Sequence, residues 1–177
     1  FDIYIELLED AIATARGDLS RKRIDPEIEV PVPMLLPEGW IAELDERLAA
    51  YRQLAMCRST DQVRAVLSEW ENRYGEPPEE VLNLGWAAEA KVRARLLGIS
   101  HIRWKQIRVD LDFDEHSPVP RERIVEIVSK HSQRFSLAPI PGKTEGVAGR
   151  LVVRFTPDEG RWPFRFLHWV FRQLEED

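Results

Sequence analysis

The sequence predicts an α+β fold, with an N-terminal layer of about four helices followed by a small mixed sheet and two packing helices. Two periodicities carry this. Apolar residues recur at three- and four-residue steps through roughly the first hundred positions, the repeat of a helix face, and then alternate one-in-two through Ile107, Val109, Leu111 and Phe113, the repeat of a strand. The third observation is punctuation: Gly17, Gly75, Pro77-Pro78 and Gly98 fall between the helical stretches. A chain of 177 residues, 44% hydrophobic and 32% charged, is long enough to form one core-bearing unit, with a helical part over about 1–98 and a β/α part over about 99–177.

The elements follow in order. Phe1, Tyr4, Ile5, Leu8, Ala11, Ile12 and Ala15 share one helical face, and Gly17 stops it. A basic, proline-containing connection follows, with Glu27 to Val32 as an edge strand. A second helix runs from about Pro37, with Ile41, Leu44, Leu48, Tyr51 and Ala55 on its stripe. The third starts at Ser59 or Thr60, both good N-caps, buries Val63, Val66, Leu67, Trp70 and Tyr74, and ends at Gly75. The fourth starts after Pro77-Pro78, buries Val81, Leu84, Ala88 and Val92, and ends at Gly98. Ile102 and Trp104 alternate in the opposite register to Ile107–Phe113, so a turn or bulge near Lys105-Gln106 separates two strands. A helix over about Pro120 to Lys130 turns Ile124, Ile127 and Val128 inward. Strands over Arg134 to Leu137 and Arg150 to Phe155 precede a last helix over about Arg161 to Leu174.

Composition narrows the function. A net charge of −6 argues against a surface built to neutralise many phosphates. The single cysteine, Cys57, excludes an internal disulfide and a cysteine metal site, and fits a reducing compartment. No apolar run approaches the ~20 residues of a membrane span. The opening FDIYIELLED is acidic, with no basic leader, so it does not read as a signal peptide. The chain lacks an initiating Met and reads as part of something longer.

Several motifs suggest chemistry and fail on spacing. Gly142-Lys143-Thr144 resembles the end of a phosphate loop, but Leu137 stands where the first glycine belongs, and a strand rather than a helix follows. Asp110, Asp112, Asp114 and Glu115 resemble a cation cage, but Glu115 occupies the position a calcium loop gives to glycine. Strand alternation makes the aspartates a solvated face. His101, His116, His131 and His168 are scattered, with no ligand spacing, and Cys57 reads as structural. No catalytic or metal-ligating set emerges. Arg21, Lys22 and Arg23 form a short candidate basic contact, against the simpler reading of a solvated loop.

Two features remain. Glu69, Asn72 and Arg73 stand at i, i+3 and i+4, so one face of the third helix presents an acid, an amide and a guanidinium, while Trp70 and Tyr74 turn to the core. This is either an i,i+4 ion pair or a polar docking patch in which Arg73 makes bidentate contact with a carboxylate. The last helix carries two stripes, one of Pro163, Leu167, Val170, Phe171 and Leu174, and one of Trp162, Phe166 and Trp169; burial within the domain is the expectation for both.

The segments FDIYIELLEDAI, LPEGWI, ERLAAYRQLA, SEWENRYGEPPEEVLNL, RARLLGI and FRQLEED, in this order, resemble the C-terminal domain of bacterial transcription-repair coupling factors along essentially the whole chain. The resemblance implies a cytoplasmic parent that uses ATP and Mg in N-terminal motor domains to move on double-stranded DNA. Such a parent displaces stalled RNA polymerase and recruits the excision-repair damage-recognition ATPase. For this portion it implies no catalysis and no cofactor. It implies instead an autoinhibitory domain that packs on the parent's N-terminal domain, hides the recruitment surface and restrains the motor. The family's clamp has an acid-x-x-Asp-Arg-aromatic-Gly pattern. Glu69 and Arg73 match it; Asn72 stands where Asp is usual, which removes one potential salt bridge. Tyr74 stands where Phe is common. Two rivals remain: a nucleic-acid- or RNA-polymerase-contacting module of the same motor using Arg21, Lys22 and Arg23, and an enzyme with a cryptic pocket.

Overall fold

The computed structural model describes residues 24–143 and 149–175. The expected first helix, the basic run Arg21-Lys22-Arg23 and Thr144 lie outside them.

Strand β1 (Glu27–Glu29) is shorter than the segment from Glu27 to Val32 but lies at the sheet edge as expected, where the prolines at 26, 31 and 33 need no donors. Helix α1 is Leu44–Ala55, so it begins seven residues after Pro37. Pro37 to Trp40 instead form a turn closed by the Trp40 and Ile41 amides on the Pro37 carbonyl. The inward stripe is corrected with it. Ala50 and Leu54 are buried, whereas Leu44, Leu48 and Tyr51 are exposed; the Tyr51 hydroxyl accepts the Leu36 amide at 2.7 Å.

Helix α2 is Thr60–Tyr74, capped by Ser59, whose hydroxyl accepts the Gln62 amide, and ended by Gly75 at φ 89°. Helix α3 is Glu79–Leu96, begun by Pro78 and ended before Gly98 at φ 70°. It serves two cores. Val81 and Val92 join Leu36, Ile41, Leu54, Val63, Val66 and Trp70 in a helical cluster, while Ala90, Ala94 and Leu97 join the sheet's cluster.

The sheet order is β1-β2-β3-β5-β4, with β2 Ile99–Trp104, β3 Arg108–Phe113, β4 Phe135–Pro139 and β5 Gly149–Arg154. β1 runs parallel to β2 and the other pairs are antiparallel, so the sheet is mixed. A turn at Lys105–Ile107 separates β2 and β3, as the change of register predicts. Helices α4 (Arg121–Lys130) and α5 (Pro163–Glu175), with a 3-10 turn at Glu159–Arg161 before α5, cover the apolar face. Ile102, Val109, Leu111, Leu151 and Val153 there are fully buried beneath Leu167, Val170 and Phe171. The buried stripe of the last helix matches expectation, and Phe166 is buried too, but Trp162 is 63% exposed.

The opposite face corrects a further reading. Asp110 and Asp112, expected to be solvated, are 0% and 3% exposed. Their outward direction on the strand is as predicted, but arginine and lysine side chains from β2, β5, the β2–β3 turn and β3 itself lie over them. Arg103 and Arg150 grip Asp112; Lys105 Nζ lies 3.2 Å and Arg108 Nε 3.0 Å from Asp110. The Asp110 contacts are ion pairs without hydrogen-bond alignment, so its two oxygens are buried with charge compensation alone.

Candidate docking site

Helix α2 sets the site because its two faces have different jobs. Val63, Val66 and Trp70 are buried, and Trp70 is fixed by an edge-on Trp40 ring with a centroid separation of 6.4 Å. That rotation leaves Glu69, Asn72 and Arg73 on the exposed side, as the spacing predicts.

Glu69 and Arg73 each reach across to α1. Gln53 donates its amide to Glu69 Oε2 at 3.1 Å and accepts the Trp70 indole N–H on its carbonyl oxygen at 3.1 Å. A core tryptophan therefore orients the glutamine, and the glutamine orients the acid. Arg73 Nη2 sits 3.4 Å from Glu46 Oε1, and the Tyr74 hydroxyl donates to Glu46 Oε2 at 3.2 Å. The Arg73 guanidinium lies 5.1 Å from the centre of the Tyr74 ring. Burial, reinforced by Glu46 and opposed by Arg73, pushes the Tyr74 phenol above its ordinary range, which keeps it a donor.

Sequence spacing brought Glu69, Asn72 and Arg73 together correctly. It missed Glu46 and Gln53, which sit 27 and 16 residues from their partners. Their only local signal is a spacing of seven, two turns of one helix face. Asn72 has no hydrogen-bond partner among the described residues and is exposed. Arg73 keeps 58% of its side chain in solvent. Between α1 and α2 lies an open groove of about 510 Å³, floored by Ala50 and Trp70 and walled by Asp45, Glu46, Glu69 and Arg73.

The groove's Tyr74–Glu46 contact joins a carboxylate to a phenol whose raised pKa keeps it protonated, which does not favour a nucleophile. Cys57 lies at the end of α1, buried, with burial pushing its thiol up against the smaller opposing effect of Arg58. The histidines are dispersed as expected: His101 beside Glu27, His116 beside Asp114, His168 against Arg93, and His131 edging Phe135 and Trp169. Among the described residues no group of acids, histidines or cysteine is placed to hold a metal ion. Gly142, at φ 79°, turns the chain after β4, and among the described residues the next element is strand β5, not a helix. Arg21, Lys22 and Arg23 are outside the described residues. Among those residues no helix is long and apolar enough to cross a membrane.

Residues 30–124, more than half of the chain, match the family model of the TRCF domain. The chain is 26% identical over 139 residues to the transcription-repair-coupling factor of Myxococcus xanthus, covering 78% of this chain and 12% of that protein. It is 25% identical over 187 residues to that of Escherichia coli, covering 100% of this chain and 15% of that protein. The factor of Staphylococcus aureus is 31% identical over 113 residues, 63% of this chain and 10% of its own length. The chain thus spans a small fraction of the relatives it matches. A crystal structure of the C-terminal domain of transcription-repair coupling factor shares the fold, with a TM-score of 0.71 at 16% identity, over 88% of this chain and 95% of that one.

Proposed function

The chain belongs to the transcription-repair coupling factor domain family, and on that premise we propose that it is a non-catalytic autoinhibitory domain whose ligand is another domain of its own parent. In this reading the parent is an ATP-driven translocase on double-stranded DNA that displaces stalled RNA polymerase and couples transcription to excision repair. ATP and Mg belong to its motor domains. The present domain docks through Glu69, Asn72 and Arg73 on the parent's N-terminal domain, in the bacterial cytoplasm. Docking masks the surface that recruits the damage-recognition ATPase and restrains the motor.

The observation that carries this reading is the state of Glu69 and Arg73, exposed yet pre-oriented. Gln53 and Glu46 fix them from α1, so little side-chain entropy is lost when a partner arrives. The site is polar, open and shallow, which suits an interface that must release. Contacts between domains of one chain are modest and more polar than permanent ones, and a few kcal/mol suffices to hold a closed state while permitting opening. Asp45, Glu46 and Glu69 crowd Arg73 with acid, so the complementary surface presents mainly cations, with one carboxylate for Arg73.

The test mixes this chain with the separately expressed N-terminal portion of its parent and measures binding by calorimetry at low and moderate salt. The expectation is saturable binding that weakens with salt and falls about tenfold or more in Arg73→Ala and Glu69→Ala. In the full-length protein the same substitutions should raise basal ATP hydrolysis and affinity for the damage-recognition ATPase. If neither quantity moves, the reading is wrong.

A further inference from the structure

The sheet ends at β4, which among the described residues pairs with β5 alone. The Arg154 amide donates to the Arg134 carbonyl at 2.8 Å, which makes these two a hydrogen-bonded pair. Such pairs alternate along an antiparallel ladder. Ser136 and Ala138 therefore turn their backbone groups to β5, while Phe135, Leu137 and Pro139 turn theirs outward. Pro139 has no N–H to leave unpaired there, and the Phe135 N–H is taken by the His131 carbonyl at 2.9 Å. The open edge is thus short and centred on Leu137, with its N–H and C=O both outward.

The two faces of this edge differ in chemistry. Leu137 shares the helix-covered face with its register partner Leu151, which is fully buried, yet is itself 52% exposed. Ser136 lies on the charged face, in line with Val152 and Asp110, and is exposed. On that face Lys105, Arg108 and Arg154 form one row across three adjacent strands. The Lys105 amide donates to the Arg108 carbonyl at 2.8 Å, and Arg108 and Arg154 are register partners. Like charges directly opposite one another repel. Asp110 compensates Lys105 and Arg108, and Asp112 holds Arg150. Arg134, on the β4 side of the row, is committed to both oxygens of Glu159 at 2.9 Å. Arg154 is exposed, and its guanidinium has no acceptor among the described residues.

We propose that the β4 edge receives an extended acidic segment of another polypeptide as an added strand, with a carboxylate on Arg154 and an apolar residue on Leu137. Main-chain bonds to Leu137 would set the register, and the alternation of faces would select acid on one side and apolar on the other. Two strand spacings, about 10 Å, separate such a strand from β5, a gap that an arginine and a glutamate close from opposite ends. Nucleic acid fits less well, because it cannot continue the ladder and the charged face offers no Phe, Tyr or Trp to stack a base. A second copy of the chain could offer Glu27-Ile28-Glu29, which has the right alternation. Pro26 and Pro31 flank that strand, however, and His101 and Arg103 already engage its acids at 3.2 and 3.7 Å. The proposal is independent of the docking reading, because none of its residues lies in the α1–α2 groove.

Fluorescence anisotropy of a labelled, end-blocked peptide of about seven alternating Val and Glu residues with the 177-residue chain tests it. The expected result is saturable binding that weakens as salt rises. Arg154→Glu should weaken it about tenfold or more, and Leu137→Ala several-fold. Leu137→Pro keeps an apolar side chain but removes the outward N–H, at an edge position that tolerates proline, and should weaken binding more than Leu137→Ala. Arg73→Ala should leave binding unchanged. Hydrogen exchange should show the Leu137 amide fast in the free chain and slowed at saturation, a change that side-chain attraction alone would not produce. Four results overturn the proposal: no binding up to about 1 mM protein; equal binding of the peptide with Lys in place of Glu; displacement by oligo(dT) as effective as by unlabelled peptide, which would mark a nucleic-acid surface; or a Leu137 amide already slow in the free chain, which would mean that the edge is covered by its own chain or a second copy. Far-UV circular dichroism of each variant separates lost binding from lost fold.

Discussion

Arg150 grips Asp112 with two hydrogen bonds across the β3–β5 pair, Nε to Oδ1 at 2.6 Å and Nη2 to Oδ2 at 3.0 Å, while Arg103 adds a third from β2 at 2.8 Å. One buried carboxylate therefore ties three strands together on the charged face of the sheet. Burial alone raises the Asp112 pKa, but the hydrogen bonds and charges of Arg150 and Arg103 outweigh it, so the carboxyl ends below its ordinary value of 3.8. A lowered folded-state pKa stabilises the fold above the unfolded value, and that contribution is lost as pH falls through the folded one.

Replacing Asp112 with Ala should cost about 2–3 kcal/mol at neutral pH, since it strands two partly buried guanidinium groups. The variant should also lose less of its remaining stability than the parent between pH 4 and the acid limit. Urea denaturation across that range checks both statements.

Two glycines should respond differently to alanine. At Gly98, φ is 70° and a Cβ would stand 2.5 Å from the Ser117 Cα, in a joint where the Ser117 hydroxyl donates to the Leu97 carbonyl at 2.6 Å. Backbone strain and a backbone clash combine, and Gly98→Ala should destabilise by about 2–4 kcal/mol. At Gly85 the obstacle is Leu67 Cδ1 at 2.4 Å, the mobile end of a side chain. A gain of about 1 kcal/mol in helix propensity offsets the repacking, so Gly85→Ala should stay within about 1 kcal/mol of the parent. Thermal melts distinguish the two outcomes.

The two faces of α2 should separate stability from docking. Trp70→Ala empties the helical core and should cost about 3–5 kcal/mol. Arg73→Ala breaks only an exposed pair with Glu46 and should shift stability by less than about 1 kcal/mol. A large loss of stability in Arg73→Ala would place this residue in the scaffold and remove it from the docking surface.

Asn72→Asp places an acid at an exposed position that has no hydrogen-bond partner among the described residues. Against a cationic partner surface it should tighten docking on the parent's N-terminal portion by about fivefold at low salt, with the gain shrinking as salt rises. Calorimetry with that portion measures it; a weaker complex at low salt would point to an acidic partner.

Among the described residues, the sequence by itself determined the element types, most of their boundaries and the outward face of α2. These depend on local causes: Ser59 satisfies the first amides of its helix, Gly75 and Gly98 take backbone angles that other residues resist, and the alternation from Ile107 to Phe113 permits only a strand. The late start of α1 and its true inward stripe were decided by tertiary contacts, because a short helix packed on one neighbour buries only the line that touches it, here Ala50 and Leu54. The Gln53–Trp70 relay behind Glu69 and the burial of Asp110 and Asp112 were decided in the same way. Strand alternation tells which direction a side chain points but not what lies over it. Arg150, the main cover of Asp112, comes from 38 residues away in the chain, and only the folded sheet brings the two charges within reach.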